Sequence, residues 1–270
     1  MRPTSARAWL LVVPGVACLV LLAGGLGSLV AESLAGGLAH YARFVGDPTY
    51  LAYLFRSFRV AAYPTLVAVL LGYPTAYVMS RVGPGTRRLL MLALMLQFFS
   101  VNVTRIYALI LILGNNGVIN RSLLALGWTD APVRLIYNEL GVTVGLVSAA
   151  LPFAVFPIHS VLGRISPSLA EAAQTLGADR TWIFWRITFP LTLPAVASSI
   201  VIVFLYSLGA FATPVLLGGG FVDLIAVFSY EQSVNLANYG FAAAGAVVTL
   251  GCAFVLVYAF TRAVDAWVRA

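Results

Sequence analysis

Apolar residues in this chain come in long runs rather than in alternation. Six stretches, Trp9–Val30, Val60–Ser80, Leu89–Leu113, Gly141–Leu162, Leu193–Leu217 and Phe241–Phe260, match the roughly 20 residues that a helix needs to cross a bilayer. The runs are rich in Leu, Ala, Val and Gly, whereas a membrane β-barrel needs short strands of alternating polarity. The pattern predicts an all-α membrane protein with six transmembrane helices, forming a single domain over residues 1–270. Between the runs the connections differ in kind. Arg81–Arg88 reads as a tight turn on Gly-Pro-Gly, while the segments 31–58, 115–140 and 218–240 are longer and hold short amphipathic patches, where short helices outside the bilayer are expected.

Composition agrees with this reading. The chain is 61% hydrophobic and 9% charged, against about a quarter charged in a soluble domain. The first run follows Arg2 and Arg7 as a secretory signal would, but it is too long and contains Pro14, so it is read as an uncleaved span. Cys18 and Cys252 both fall within spans, imply no disulfide, and read as small core residues.

Every basic residue is arginine, and the arginines set an orientation. With the N-terminus inside, the cytoplasmic side collects Arg2, Arg7, Arg81, Arg87, Arg88, Arg164, Arg180, Arg186, Arg262 and Arg269. The outside receives Arg43, Arg56, Arg59, Arg121 and Arg134, together with Glu32, Asp47, Asp130, Glu139, Asp223 and Glu231. By the positive-inside rule both termini are cytoplasmic. Topology thus accounts for the net charge of +7, and no clustered basic face or stacking motif points to nucleic acid.

The connection 163–192 is the odd one, because it places polar helix-forming residues between two apolar runs. In Ser-Pro-Ser-Leu-Ala-Glu-Ala-Ala-Gln-Thr-Leu-Gly, Leu169, Ala172, Ala173 and Leu176 recur on one face of a helix. Ser168 and Glu171 have capping-box spacing, Pro167 suits a helix start, and Gly177 stands where a left-handed residue would end the helix. A second helix is expected from Asp179 through Trp182, Trp185 and Arg186 to Pro190. An interfacial helix anchored by the two tryptophans is the alternative reading, but the small stripe of Ala172, Ala173 and Gly177 suits close approach of another backbone better than contact with lipid.

At this spacing the segment resembles the signature of importer-type ABC transporter permeases: Glu171-Ala172-Ala173, then Gly177, then Ile187-Thr188-Phe189-Pro190, with Phe189 where the family usually has Leu. The resemblance implies an importer-type permease fold in which 163–192 is a cytoplasmic coupling loop, with Glu171, Ala172, Ala173, Gly177, Ile187 and Pro190 as its ATPase-coupling residues. It implies as partners a cytoplasmic ATPase subunit dimer, a second permease, either a similar but distinct chain or, as the alternative, a second copy of this one, and a periplasmic substrate-binding protein. Further stretches, Asn-Gly-Val-Ile-Asn-Arg-Ser-Leu-Leu-Ala-Leu-Gly from Asn116 and Thr-Pro-Val-Leu-Leu-Gly-Gly-Gly from Thr213, are similar to permeases of the spermidine/putrescine type over roughly residues 55–265. Where those often carry Asn-Trp-Pro-x-Gly before the last span, this chain has Asn238-Tyr239-Gly240-Phe241.

The absence of lysine rules out the Gly-x-x-x-x-Gly-Lys phosphate loop. The resemblance accordingly implies a transport subunit and not an enzyme, with no catalytic residue, cofactor or metal site of its own and with ATP-Mg held on the ATPase partner. An intramembrane protease would need a Gly-x-Ser-Gly motif for His40 or His159, and none is present. A passive channel or proton-coupled carrier would need no docking loop and would usually place carboxylates inside the spans, where this chain has none.

Arg105 sits in the third span beside Asn102, Thr104 and Tyr107. It is either a gate or pathway residue together with Tyr107, or an arginine near the outer end that snorkels to the headgroups. Glu139, Asp223 and Glu231 read as solvated loop charges, with attraction of a cationic solute as the alternative. Pro64, Pro74, Pro152, Pro157 and Pro214 fall inside spans, where kinks are tolerated.

Overall fold

Hydrocarbon offers no partners to backbone N–H and C=O groups, so the apolar runs close their hydrogen bonds within helices. The computed structural model describes the backbone of residues 5–269 and the side chains of residues 13–267, and among these residues there is no strand. The helices are α1 (Ser5–Leu34), α2 (Ala39–Gly46), α3 (Pro48–Arg81), α4 (Pro84–Phe99), α5 (Asn102–Leu113), α6 (Val118–Ala125), α7 (Glu139–Leu162), α8 (Pro167–Thr175), α9 (Arg180–Ile183), α10 (Phe189–Leu208), α11 (Ala212–Gly218), α12 (Ile225–Tyr230) and α13 (Tyr239–Arg269). Two wide π turns interrupt them, Phe184–Thr188 before α10 and Glu231–Asn235 after α12. Six stretches of the described residues are long and apolar enough to cross a membrane.

Three boundaries differ from the sequence expectation. The third span, expected unbroken over Leu89–Leu113, stops at Phe99 and restarts at Asn102, with Ser100 and Val101 extended. Ser100, Val101, Val103 and Thr104 are weak helix formers, and side chains take over the backbone groups that the break releases. The fifth span, expected over Leu193–Leu217, ends at Leu208 before Gly209. Pro214 falls in the first turn of the separate α11, where a missing N–H removes no hydrogen bond. The second crossing begins twelve residues before Val60, at Pro48, where Asp47 caps α3 by accepting a hydrogen bond from the Thr49 amide at 2.9 Å. That bond holds the Asp47 carboxyl below the usual carboxylate range.

The core is built on α3, α7 and α10, which cross with small residues between them. A Cβ on Gly72 would lie 2.8 Å from the Cβ of Ala154, and Ser199 Oγ donates to the Ala154 carbonyl at 3.1 Å. Ala68, Ala150, Ala154 and Val203 complete this tight layer. In lipid, helices gain little from hydrophobic burial and associate through such close packing and interhelical hydrogen bonds. Above it lie Val60, Ile106, Val142, Leu146 and Leu217, and below it Ala76, Met79, Leu94, Val155 and Ile158. Helix α1 runs along α13 at the edge of the bundle, with none of its apolar window buried.

At the α2 end the loops are tied to the bundle. Phe44, Phe228 and Phe241 are buried together, and the Arg43 guanidinium lies 4.6 Å from the centre of the Phe241 ring. Arg56 pairs with Asp223 at 3.5 Å, Arg59 pairs with Glu139 at 2.5 Å, and Ser57 Oγ accepts from the Ile225 amide at 2.8 Å. Glu139 and Asp223 stay in contact with solvent, with 36% and 51% of their side chains exposed, and one turn of α3 pairs with both. Sequence separations of 80 and 167 residues hid these pairs.

Candidate functional site

Between the ends of α7 and α10 the chain forms a helical hairpin. Its first arm, α8, starts with Pro167 in the first turn and Ser166 as cap. The expected Ser168–Glu171 capping box does not form, because proline moves the helix start two residues earlier. Ser168 Oγ instead shares a hydrogen bond with Ser166 Oγ at 2.7 Å, and the Glu171 side chain is left exposed. The other end closes as a Schellman motif: the Ala178 amide donates to the Ala173 carbonyl at 3.0 Å and the Gly177 amide to the Gln174 carbonyl at 2.9 Å, with Gly177 left-handed at φ +86°.

The second arm starts where Asp179 Oδ1 accepts from the Trp182 amide at 3.0 Å. It does not stop at Pro190 as the sequence suggests. Helix α9 widens into the Phe184–Thr188 π turn, where the Phe189 amide reaches the Phe184 carbonyl, and continues into α10. Proline has no N–H to give and its ring crowds the carbonyl four residues back, and a wider turn accommodates both defects. The arm is thus one continuous piece with the fifth crossing.

The expected small stripe divides between two surfaces. Ala173 and Ile183 are buried in the hairpin, while Ala172 and Gly177 are exposed beside Leu169 and Leu176, the last 88% exposed. Two clefts flank α8. One of about 420 Å³ brings Glu171, Gln174 and Ile187 opposite Arg81 at the end of α3. The other, of about 640 Å³, is lined by Ala172, Ala173, Gly177, Trp182 and Ile187. Of the six residues singled out, Glu171, Ala172, Ala173, Gly177 and Ile187 therefore share one surface region, and Pro190 lies apart in the first turn of α10.

The base of the hairpin is fixed to α3 by aromatic side chains. Phe184 meets the rings of Tyr73 and Tyr77 at 5.9 and 5.4 Å, and the Tyr73 hydroxyl bonds Thr192 Oγ1 at 3.0 Å. Arg81 lies 4.7 Å from the centre of the Tyr77 ring. Sequence reasoning missed this joint, although aromatics at 73 and 77 and at 184, 185 and 189 were available as a signal.

Residues 60–270 match the family described as binding-protein-dependent transport system inner membrane component. The chain belongs to that family. It is a multi-pass inner-membrane permease subunit of an ABC importer. The permease is 35% identical over 210 residues to the spermidine/putrescine transport system permease protein of Escherichia coli, covering 78% of this chain and 76% of that one. It is 31% identical over 217 residues to the protein of the same description from Haemophilus influenzae, covering 80% and 76% of the two chains. In fold it superposes on a bacterial alginate ABC transporter, crystallised in complex with an alginate pentasaccharide-bound periplasmic protein, with a TM-score of 0.76, 22% identity and coverage of 94% and 93%.

The second candidate pair in the permease, Arg105 and Tyr107, lies away from the hairpin. Arg105 is in the first turn of α5, just past the break. Its guanidinium donates to the Gln97 carbonyl at 3.2 Å and to Asn102 Oδ1 at 2.7 Å, and the Gln97 side chain in turn donates to the Ser148 carbonyl of α7. This chain of bonds satisfies a carbonyl that the broken helix releases and ties it to the core. Tyr107 is 56% exposed and is not joined to Arg105. Gln97 was not picked out from sequence, because a lone glutamine in an apolar run carries no pattern. Among the described residues no group of three or more His, Cys, Asp or Glu side chains could hold a metal.

Proposed function

We propose that this permease is one of two membrane subunits of an ATP-driven importer of polyamines, with putrescine and spermidine as the reference cargo. The observation that carries the cargo assignment is the 35% identity over 78% of the chain to a spermidine/putrescine permease. A second, similar permease completes the pathway, a periplasmic binding protein delivers the solute, and a cytoplasmic ATPase dimer supplies ATP-Mg chemistry that this lysine-free chain lacks.

In this reading α8 is the coupling helix. Its exposed face seats in the ATPase, and Glu171, Ala172 and Gly177 lie at the contact. Because α9 runs without interruption into α10, and Phe184 is held against Tyr73 and Tyr77, movement of α8 is delivered to the fifth and second crossings together. Ile187 lies in the π turn that offsets this connection, and Pro190 follows it in the first turn of α10. In this reading both termini are cytoplasmic, which the arginine distribution supports.

The test is uptake of labelled putrescine and spermidine by cells with and without the permease. Uptake should fall on deletion and return with the gene, and unchanged uptake would remove the polyamine assignment. Isolated permease should hydrolyse no ATP, and activity should appear only with the ATPase partner.

A further inference from the structure

The break between α4 and α5 leaves polar side chains exposed within the apolar run Leu89–Leu113. Ser100, Asn102 and Thr104 are all exposed there. Irregular backbone at membrane depth is tolerated only where it is buried in protein or lines a water-filled cavity. Exposed polar groups set into an apolar run suit a face turned to the pathway or to the second permease better than one turned to lipid.

A row of aromatic rings from three helices adjoins the break. Phe98 of α4 lies 5.4 Å from Phe153 of α7, and Phe153 lies 5.2 Å from Tyr206 of α10. Phe153 and Tyr206 rest inwardly on the tight layer of Ala68, Ala150, Ala154 and Val203. Packing accounts for those inner faces. It does not account for the continuation of the row into Phe98, which is 44% exposed, and Phe99, which is 77% exposed, beside the break.

We propose that Phe98, Phe153 and Tyr206 form a transit site for the ammonium groups of a cationic cargo, an inference that rests on the polyamine reading above. Ring faces attract ammonium groups through their quadrupole, more strongly where water is thin. None of the nine acidic residues lies in the interior of α3, α4, α5, α7 or α10, so the walls of the crossing offer a cation no fixed charge. That suits transit, because a carried ion must be held well enough to enter and weakly enough to leave. The nearby Arg105 has its guanidinium engaged by the Gln97 carbonyl and Asn102 Oδ1.

The experiment uses the complete transporter in proteoliposomes, with labelled spermidine and its loaded binding protein. Phe98→Leu and Tyr206→Leu should each lower uptake roughly tenfold while leaving ATPase stimulation by the loaded binding protein in place. Phe98→Tyr and Tyr206→Phe should stay within about twofold. Wild-type uptake in the leucine variants at equal abundance overturns the site and leaves the polyamine reading intact. A wild-type transporter that moves no polyamine overturns both. If the leucine variants fail to accumulate, pentafluorophenylalanine at position 98 keeps the ring and reverses its quadrupole. Uptake should then fall, and unchanged uptake overturns the site.

Discussion

The Arg105 guanidinium donates to the carbonyl oxygen of Gln97 across the gap between α4 and α5. The residue that the sequence marks as anomalous in an apolar run is thus explained by a partner that only the fold supplies. An arginine inside a bilayer is expensive unless it is paired, and here it compensates a backbone defect.

Arg105→Leu should therefore loosen the break more than it lowers abundance. Removing a hydrogen bond from a charged donor costs about 1.5–3 kcal/mol in soluble proteins, and interhelical bonds in membranes average about 0.6 kcal/mol. The expected loss lies near the lower end of that span. Labelling of Ser100→Cys by a membrane-impermeant thiol reagent should speed up in the Arg105→Leu background, and uptake should fall. An unchanged labelling rate with unchanged uptake would make Arg105 a passive interfacial arginine.

Gly177→Asp should damage transport more than folding. A Cβ at this position meets nothing within 4 Å, so only the left-handed backbone at φ +86° is penalised, by about 1 kcal/mol. That is small beside the packing of six crossings. The variant should reach normal abundance in the membrane, yet uptake with the partner subunits should drop sharply, and Glu171→Lys should behave alike. Normal uptake by both variants at normal abundance would falsify the coupling role. Loss of the protein itself would mean that α8 serves folding.

Gly72 and Gly251 give a contrasting pair. Gly72→Ala places a methyl group 2.8 Å from Ala154, whereas Gly251→Ala meets nothing within 4 Å. Overpacking typically costs about 1–3 kcal/mol, and relief of a helical glycine gains about 0.5–1 kcal/mol. In detergent, the first substitution should lower the melting temperature and the second should hold or raise it. Equal melting temperatures would mean that α3 and α7 separate without loss.

Orientation is open to a direct check. Asn115 and Asn235 stand in connections that lie at the same end of the bundle as α2, and reporter fusions at both should read as external. A cytoplasmic signal from either would overturn the inside placement of α8 and, with it, the ATPase contact.

The sequence by itself determined the class of protein, the number of crossings and the hairpin of 163–192. Each of these follows from local signals: run length against bilayer thickness, arginine distribution, and the fixed offsets between Pro167, Gly177 and Asp179 that start and stop helices. Where it misplaced an element, a local signal met a nonlocal partner. The Leu89–Leu113 run is apolar throughout, but Gln97 finds Ser148 and Arg105 finds Gln97, so the helix can break. Pro190 reads as a stop, but a π turn held against Tyr73 and Tyr77 carries the helix past it. Glu139 and Asp223 stay in solvent, but that they meet Arg59 and Arg56 follows only from where α3 lies. Hydrophobic length is additive along the chain and therefore legible in it. Which carbonyl, ring or carboxylate meets a given side chain depends on how helices far apart in sequence come together, and only the tertiary structure decided that.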